Sequence, residues 1–137
     1  TTSVNAYRGI ITAPGKSLKV RAKAVKDLIL KMKNNYLKRA EQADSIHAEI
    51  ERSPYPVLVC GDFNDTPASY TYHQLRKGLT DGFRDCGSGY QYTFRQLYKL
   101  WRIDYVFYLE SLKGYECYSP ETSYSDHNMV VWKGIMN

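Results

Sequence analysis

Apolar positions along this chain keep two different periods, and the change between them marks its layout. Leu18, Ala22, Val25, Ile29, Met32, Tyr36, Ala40, Ala43, Ile46 and Ile50 recur at steps of three and four. On a helix of about 3.6 residues per turn such positions form one stripe, so the spacing predicts a long helix over 17–52. No Pro or Gly interrupts the run until Ser53-Pro54-Tyr55-Pro56 ends it and extends the chain. Val57-Leu58-Val59-Cys60 is then a short apolar run bounded by turn residues. It predicts a buried strand, with Cys60 as a small buried hydrophobe. A second, shorter helix is expected to start at Ser69 or Tyr70, with Ser69 as N-cap, and to stop at Gly78. Strands are expected at Tyr92–Phe94, Arg102–Leu109 and Met129–Trp132, with an edge strand at Tyr115–Tyr118 after a turn over Glu110–Gly114. Thr1–Lys16 is loop-like, broken by Gly9, Pro14 and Gly15. Helix, strand, helix and then several strands predict an α/β layered domain with antiparallel pairing toward its end.

Composition changes this picture little. The 137 residues give room for one modest core. A net charge of +5 favours an anionic partner. Between Lys16 and Arg39 a run of lysines and arginines faces a single acid, Asp27. That run could track a nucleic-acid backbone, but it also carries the apolar stripe, which favours the solvated face of an amphipathic helix. Cys60, Cys86 and Cys117 lie far apart without CxxC spacing, which argues against a zinc site or a disulfide framework. No apolar run reaches membrane-spanning length.

The chemistry gathers in three short segments: Gly61-Asp62-Phe63-Asn64-Asp65-Thr66-Pro67, Arg102-Ile103-Asp104-Tyr105-Val106-Phe107 and Ser125-Asp126-His127. Each sets a carboxylate in or beside an expected strand, where Asp and Asn are normally depleted. Asp62 and Asn64 stand two apart as the chain leaves a strand, so on an extended segment both face one cleft. The plainer alternative is an Asx-turn. Asp104 is expected mid-strand, where a buried unpaired carboxylate is costly. His127 is its natural partner, since a carboxylate on one imidazole nitrogen fixes the tautomer; Arg102 or a lysine is the structural alternative. Ser125, Asp126 and His127 are adjacent letters rather than triad geometry, and no GxSxG elbow occurs. His47 and His73 fall in expected helices as surface or packing residues.

In order and spacing, GDFNDTP, RIDYVF and SDH resemble the endonuclease/exonuclease/phosphatase family. The resemblance implies a layered α/β sandwich of the DNase I-like type, with a mixed, mostly antiparallel sheet and outer helices. It implies that residues 1–137 form a single partial domain, the C-terminal half: a loop over 1–16, the long helix over 17–52 and the motif region over 56–137. It further implies a Mg²⁺- or Mn²⁺-dependent phosphoesterase, nuclease or phosphatase, cleaving a phosphodiester or phosphomonoester by direct water attack. In that scheme Asp62 orients or deprotonates the water and Asn64 donates to a phosphate oxygen. Asp104 orients His127, which contacts the phosphate. Asp62, Asn64 and Asp126 serve the metal. Thr93-Phe94 matches the family's structural Thr-Phe. Two departures stand out. Asn128 follows the histidine where relatives often have Pro, and the family's upstream Asn, metal-binding Glu and further His have no counterpart before Thr1. The alternative function is therefore an inactive fragment or non-catalytic binding module, self-associating through an exposed sheet face. The implied partner is a phosphate ester, with nucleic acid and phospholipid headgroups as candidates.

Overall fold

A computed structural model describes residues 18–95 and 101–136, without the side chains of residues 21 and 28. The expected loop over Thr1–Lys16 lies outside the described residues. The chain divides into two compact units, Thr1–Arg39 and Ala40–Asn137. Helix α1, Leu18–Arg52, runs through the boundary. It is close to the span that periodicity predicts, because nothing before Pro54 lacks an N–H or strains the helix.

In the second unit, β1 (Leu58–Asp62), β2 (Thr80–Asp81) and β3 (Asp104–Tyr108) form an antiparallel sheet in the order β1-β3-β2. Period-two alternation gives its two faces different work. Val59, Tyr105 and Phe107 turn toward a core with Ala43 and Ile50 of α1, and with Tyr72 and Leu75 of helix α2 (Tyr70–Leu75). Phe107 is fully buried, and its ring stacks on Tyr105 at 5.4 Å. Each such side chain contributes about 1.5–3 kcal/mol by leaving water. The opposite register carries Cys60, Asp62, Asp104 and Val106, which line a cleft.

The expectation of a buried β1 is corrected here. Leu58 and Cys60 are exposed: among the described residues β1 pairs with β3 alone, and the face that carries these two side chains is not packed over. Apolar letters showed the strand but not how many of its sides would be packed.

Ser69 caps α2, its hydroxyl oxygen accepting from the Tyr72 N–H at 3.1 Å. The helix ends before Gly78, whose φ of +71° suits glycine. Helix α3 (Gly82–Cys86) was not expected; Asp81 caps it, accepting from the N–H groups of Phe83 and Arg84. Strands β4 (Leu112–Tyr118) and β5 (Val131–Met136) form a separate antiparallel pair. Three residues expected in the turn, Leu112 to Gly114, therefore belong to β4. Glycine supplies the fit there: a Cβ at Gly114 would sit 2.7 Å from Trp132, and one at Gly82 would sit 2.8 Å from it. The Trp132 ring thus packs beside Tyr108 of β3 at 4.7 Å. The expected strand at Tyr92–Phe94 is reduced to isolated bridges from Phe94 to Trp101 and to His127. Among the described residues no helix is long and apolar enough to cross a membrane.

Candidate active site

Antiparallel register sets Asp62, the last residue of β1, directly opposite Asp104, the first of β3. Like charges in that relation destabilise a sheet unless a cation or a proton is shared. His127 stands beside one of the two. Its Nδ1 lies 3.0 Å from Asp104 Oδ2, with both side chains mostly shielded. Ligand atoms of Asp62, Asp104 and His127 all fall within 4.8 Å of one another. All three line a cleft of about 380 Å³, along with Tyr124, Ser125 and Met129.

Asn64 reaches the site by another route than an extended segment. β1 stops at Asp62, and Asn64 takes φ +52°. The chain turns back, so the Asn64 N–H donates to Asp62 Oδ1 at 2.8 Å and its amide donates to Oδ2 at 3.0 Å. This is the Asx-turn weighed above, and it also orients the Asp62 carboxylate. Asp126 is exposed and stands outside the three-residue group. Its backbone carbonyl accepts from the Arg95 N–H at 2.8 Å. Ser125 accepts from the His127 N–H through Oγ at 3.1 Å, a local turn rather than a nucleophile held by a base.

Thr93 ties the two halves of the acid–imidazole pair together. It is fully buried, and its Oγ1 accepts from the N–H groups of Ile103 and Asp104 at 3.0 and 3.1 Å. Its carbonyl accepts from the Asn128 N–H. The Phe94 ring lies 5.1 Å from the His127 ring. Asn128 is itself buried, and its side chain bonds the Thr122 N–H and the Tyr92 carbonyl. Hydrogen bonds thereby hold the loop where a proline would stiffen it. These links were legible only as a structural Thr-Phe.

Arg102 does not pair with Asp104. Its guanidinium grips Asp81 bidentately at 2.9 and 2.7 Å, and Asp81 also accepts from the Tyr72 hydroxyl at 2.7 Å. Burial alone would raise the Asp81 carboxyl, but the Arg102 and Tyr72 bonds outweigh it and hold it below the usual carboxylate value. This leaves Asp104 to His127. No sequence signal linked Asp81 to Arg102, which are 21 residues apart and meet only through the tertiary fold. His47 pairs with Glu51 along α1, and exposed His73 sits edge-on to Tyr72, so neither enters the site.

Three comparisons bear on this geometry. A family model described as "Endonuclease/Exonuclease/phosphatase family" matches residues 16–127. No curated protein matches the chain. Among solved structures, an endonuclease/exonuclease/phosphatase from Bacteroides vulgatus aligns with TM-score 0.64 at 24% identity, over 72% of this chain and 44% of that one. A family protein from Bacteroides thetaiotaomicron aligns at 0.65 and 19%, covering 74% and 45%. A mannosyl-6-phosphatase from Bacteroides thetaiotaomicron aligns at 0.60 and 21%, covering 72% and 46%. These likenesses show the fold, a layered α/β architecture of the DNase I-like type. The chain spans less than half the length of each of these structures.

Proposed function

The chain belongs to the endonuclease/exonuclease/phosphatase family, and from that premise we propose a metal-dependent phosphoric-ester hydrolase that cleaves a phosphodiester or phosphomonoester by direct attack of water. The observation that carries the reading is the Asp104–His127 pair beside Asp62 in one cleft. With Asp104 on Nδ1, the imidazole keeps Nε2 for a phosphoryl or leaving oxygen. Asp104 stabilises the ring when it carries a second proton and fixes its orientation. Asp62, steadied by Asn64, is the carboxylate that orients the water.

The donor set fits a hard divalent cation. Two carboxylates face each other across a strand pair, only one of them is engaged by His127, and amide and carboxylate oxygens suit Mg²⁺ or Mn²⁺. Asp62 and Asn64 would hold the cation, with Asp126 as a further candidate from the loop. When bound, it would neutralise charge on the phosphoryl oxygens.

The test is hydrolysis of an activated phosphodiester and an activated phosphomonoester, each with Mg²⁺, Mn²⁺ or chelator. His127→Ala is expected to lower kcat by about 10²–10⁴-fold, the usual worth of a positioned acid or base. Asp104→Asn is expected to cost a similar factor, because an amide can donate to Nδ1 as well as accept from it and so no longer fixes the tautomer that presents Nε2. Turnover indifferent to chelator, or undiminished in His127→Ala, would sink the reading. The ratio of diester to monoester rates, with a sugar phosphate and a short oligonucleotide alongside, reads the substrate class. A second reading rests on the chain's span relative to the solved structures: a phosphate-binding module without turnover. A folded chain that turns over neither substrate, yet whose His127 ring signals shift with inorganic phosphate, selects it.

A further inference from the structure

The segment that delivers His127 to the cleft has little regular structure of its own. It runs between β4 and β5, and Ser123, Tyr124, Ser125 and Asp126 within it are all exposed. Thr122, Tyr124 and Ser125 line the cleft beside His127. A side chain that projects from a loop is only as well placed as the main chain beneath it.

Two sets of bonds fix that main chain. One closes the loop on itself: Thr122 Oγ1 donates to the His127 carbonyl at 2.8 Å, and Asn128 Oδ1 accepts from the Thr122 N–H at 3.3 Å. The other comes from Arg95. Its Nη1 donates to the carbonyls of Thr122 and Ser125, the latter at 3.0 Å. Its backbone N–H donates to the Asp126 carbonyl at 2.8 Å. Nη1 carries two hydrogens, one for each carbonyl, and a cationic donor makes stronger bonds than a neutral one. The place of Arg95 in the chain adds to this. Thr93 holds the N–H groups of Ile103 and Asp104, the Phe94 ring lies against the His127 ring, and Arg95 grips the loop. Three consecutive residues thus touch the strand of the carboxylate, the imidazole and the loop that carries it.

We propose that Arg95 is a positioning residue for His127: its guanidinium pins the main chain over 122–126, so that the imidazole meets Asp104 before substrate arrives. The inference rests on the hydrolase reading above. Asp104 orients the ring, and Arg95 holds the backbone from which the ring projects.

The test compares the full chain with Arg95→Met, which keeps the apolar stem and removes the cation, and with Arg95→Lys, which keeps a cation without the guanidinium. In Arg95→Met, kcat for an activated phosphodiester with Mn²⁺ should fall about 10–100-fold, the cost of a displacement of roughly 1 Å, with KM changed less than about threefold. Arg95→Lys should fall between the two. Millimolar guanidinium should restore part of the rate lost in Arg95→Ala and leave the wild type unchanged. A readout independent of turnover is the His127 ring in NMR spectra recorded without metal. Arg95→Met should move its signals from the positions that the Phe94 ring imposes, and broaden them. Far-UV circular dichroism checks the fold. If the wild type hydrolyses nothing, the hydrolase reading fails and the ring signals still decide: shifted in Arg95→Met they uphold the positioning role, unchanged they overturn it. A wild-type kcat in Arg95→Met, or in Arg95→Lys should the methionine variant not fold, overturns it too. So does a rise in KM that accounts for the whole fall in kcat/KM, which would make Arg95 a substrate contact.

Discussion

Two buried polar residues, Thr93 and Asp81, show how much of the site rests on groups that never touch it. Thr93→Val keeps the shape and removes the oxygen that accepts from two backbone N–H groups. It is expected to cost about 1–3 kcal/mol and, through the displaced Asp104, to lower kcat more than it raises KM. Urea midpoints and steady-state kinetics on one preparation check both. Asp81→Asn leaves a charge on buried Arg102 and should cost about 3–5 kcal/mol. The pH dependence follows from the lowered Asp81 carboxyl. Its contribution is complete above the unfolded value near 3.8 and is lost as pH falls through the lower folded value. The stability gap between wild type and Asp81→Asn should therefore be flat from neutrality to about pH 5 and narrow below pH 4 in denaturant titrations. A gap that widens toward acid would contradict the geometry.

Elements place these residues more than they stabilise them. β1 is short, paired on one side and largely exposed, so its value lies in where it stops. Ending at Asp62 opposite the start of β3 brings two carboxylates to one sheet end. α2 is only six residues long and depends on its ends. Ser69→Ala removes the acceptor for the Tyr72 N–H and should cost about 1 kcal/mol, read as a fall in thermal midpoint. Tyr72 sits in that helix and bonds Asp81, so fraying of α2 should also loosen the Asp81–Arg102 pair.

For the molecule as a whole, its thiols report which parts open. Cys60 is exposed at the cleft, whereas burial pushes the Cys117 thiol up to about 11. Only thiolate reacts, so a disulfide reagent at pH 8 should label Cys60 in the native state and Cys117 only on unfolding. A phosphate ester bound in the cleft should slow Cys60 alone. Rapid native labelling of Cys117 would show that the β4–β5 layer opens independently of the rest.

The sequence by itself determined the long helix, the Ser69 cap, strands at or near β1, β3, β4 and β5 and the three acidic segments, because periodicity, capping and residue type are local properties; the two-residue β2 was not expected. Those segments carried the family resemblance and named His127 as the partner of Asp104. What lay beyond local reach was decided by register and packing. Leu58 and Cys60 read as buried because apolar letters cannot say that a sheet face is left uncovered. Asn64 reaches Asp62 through a left-handed turn rather than an extended strand. Arg102 stands two residues from Asp104, yet its guanidinium reaches Asp81 of β2 and leaves Asp104 to the histidine. Such choices depend on contacts between residues far apart in the chain, and only the tertiary fold brings those residues within a hydrogen bond's length.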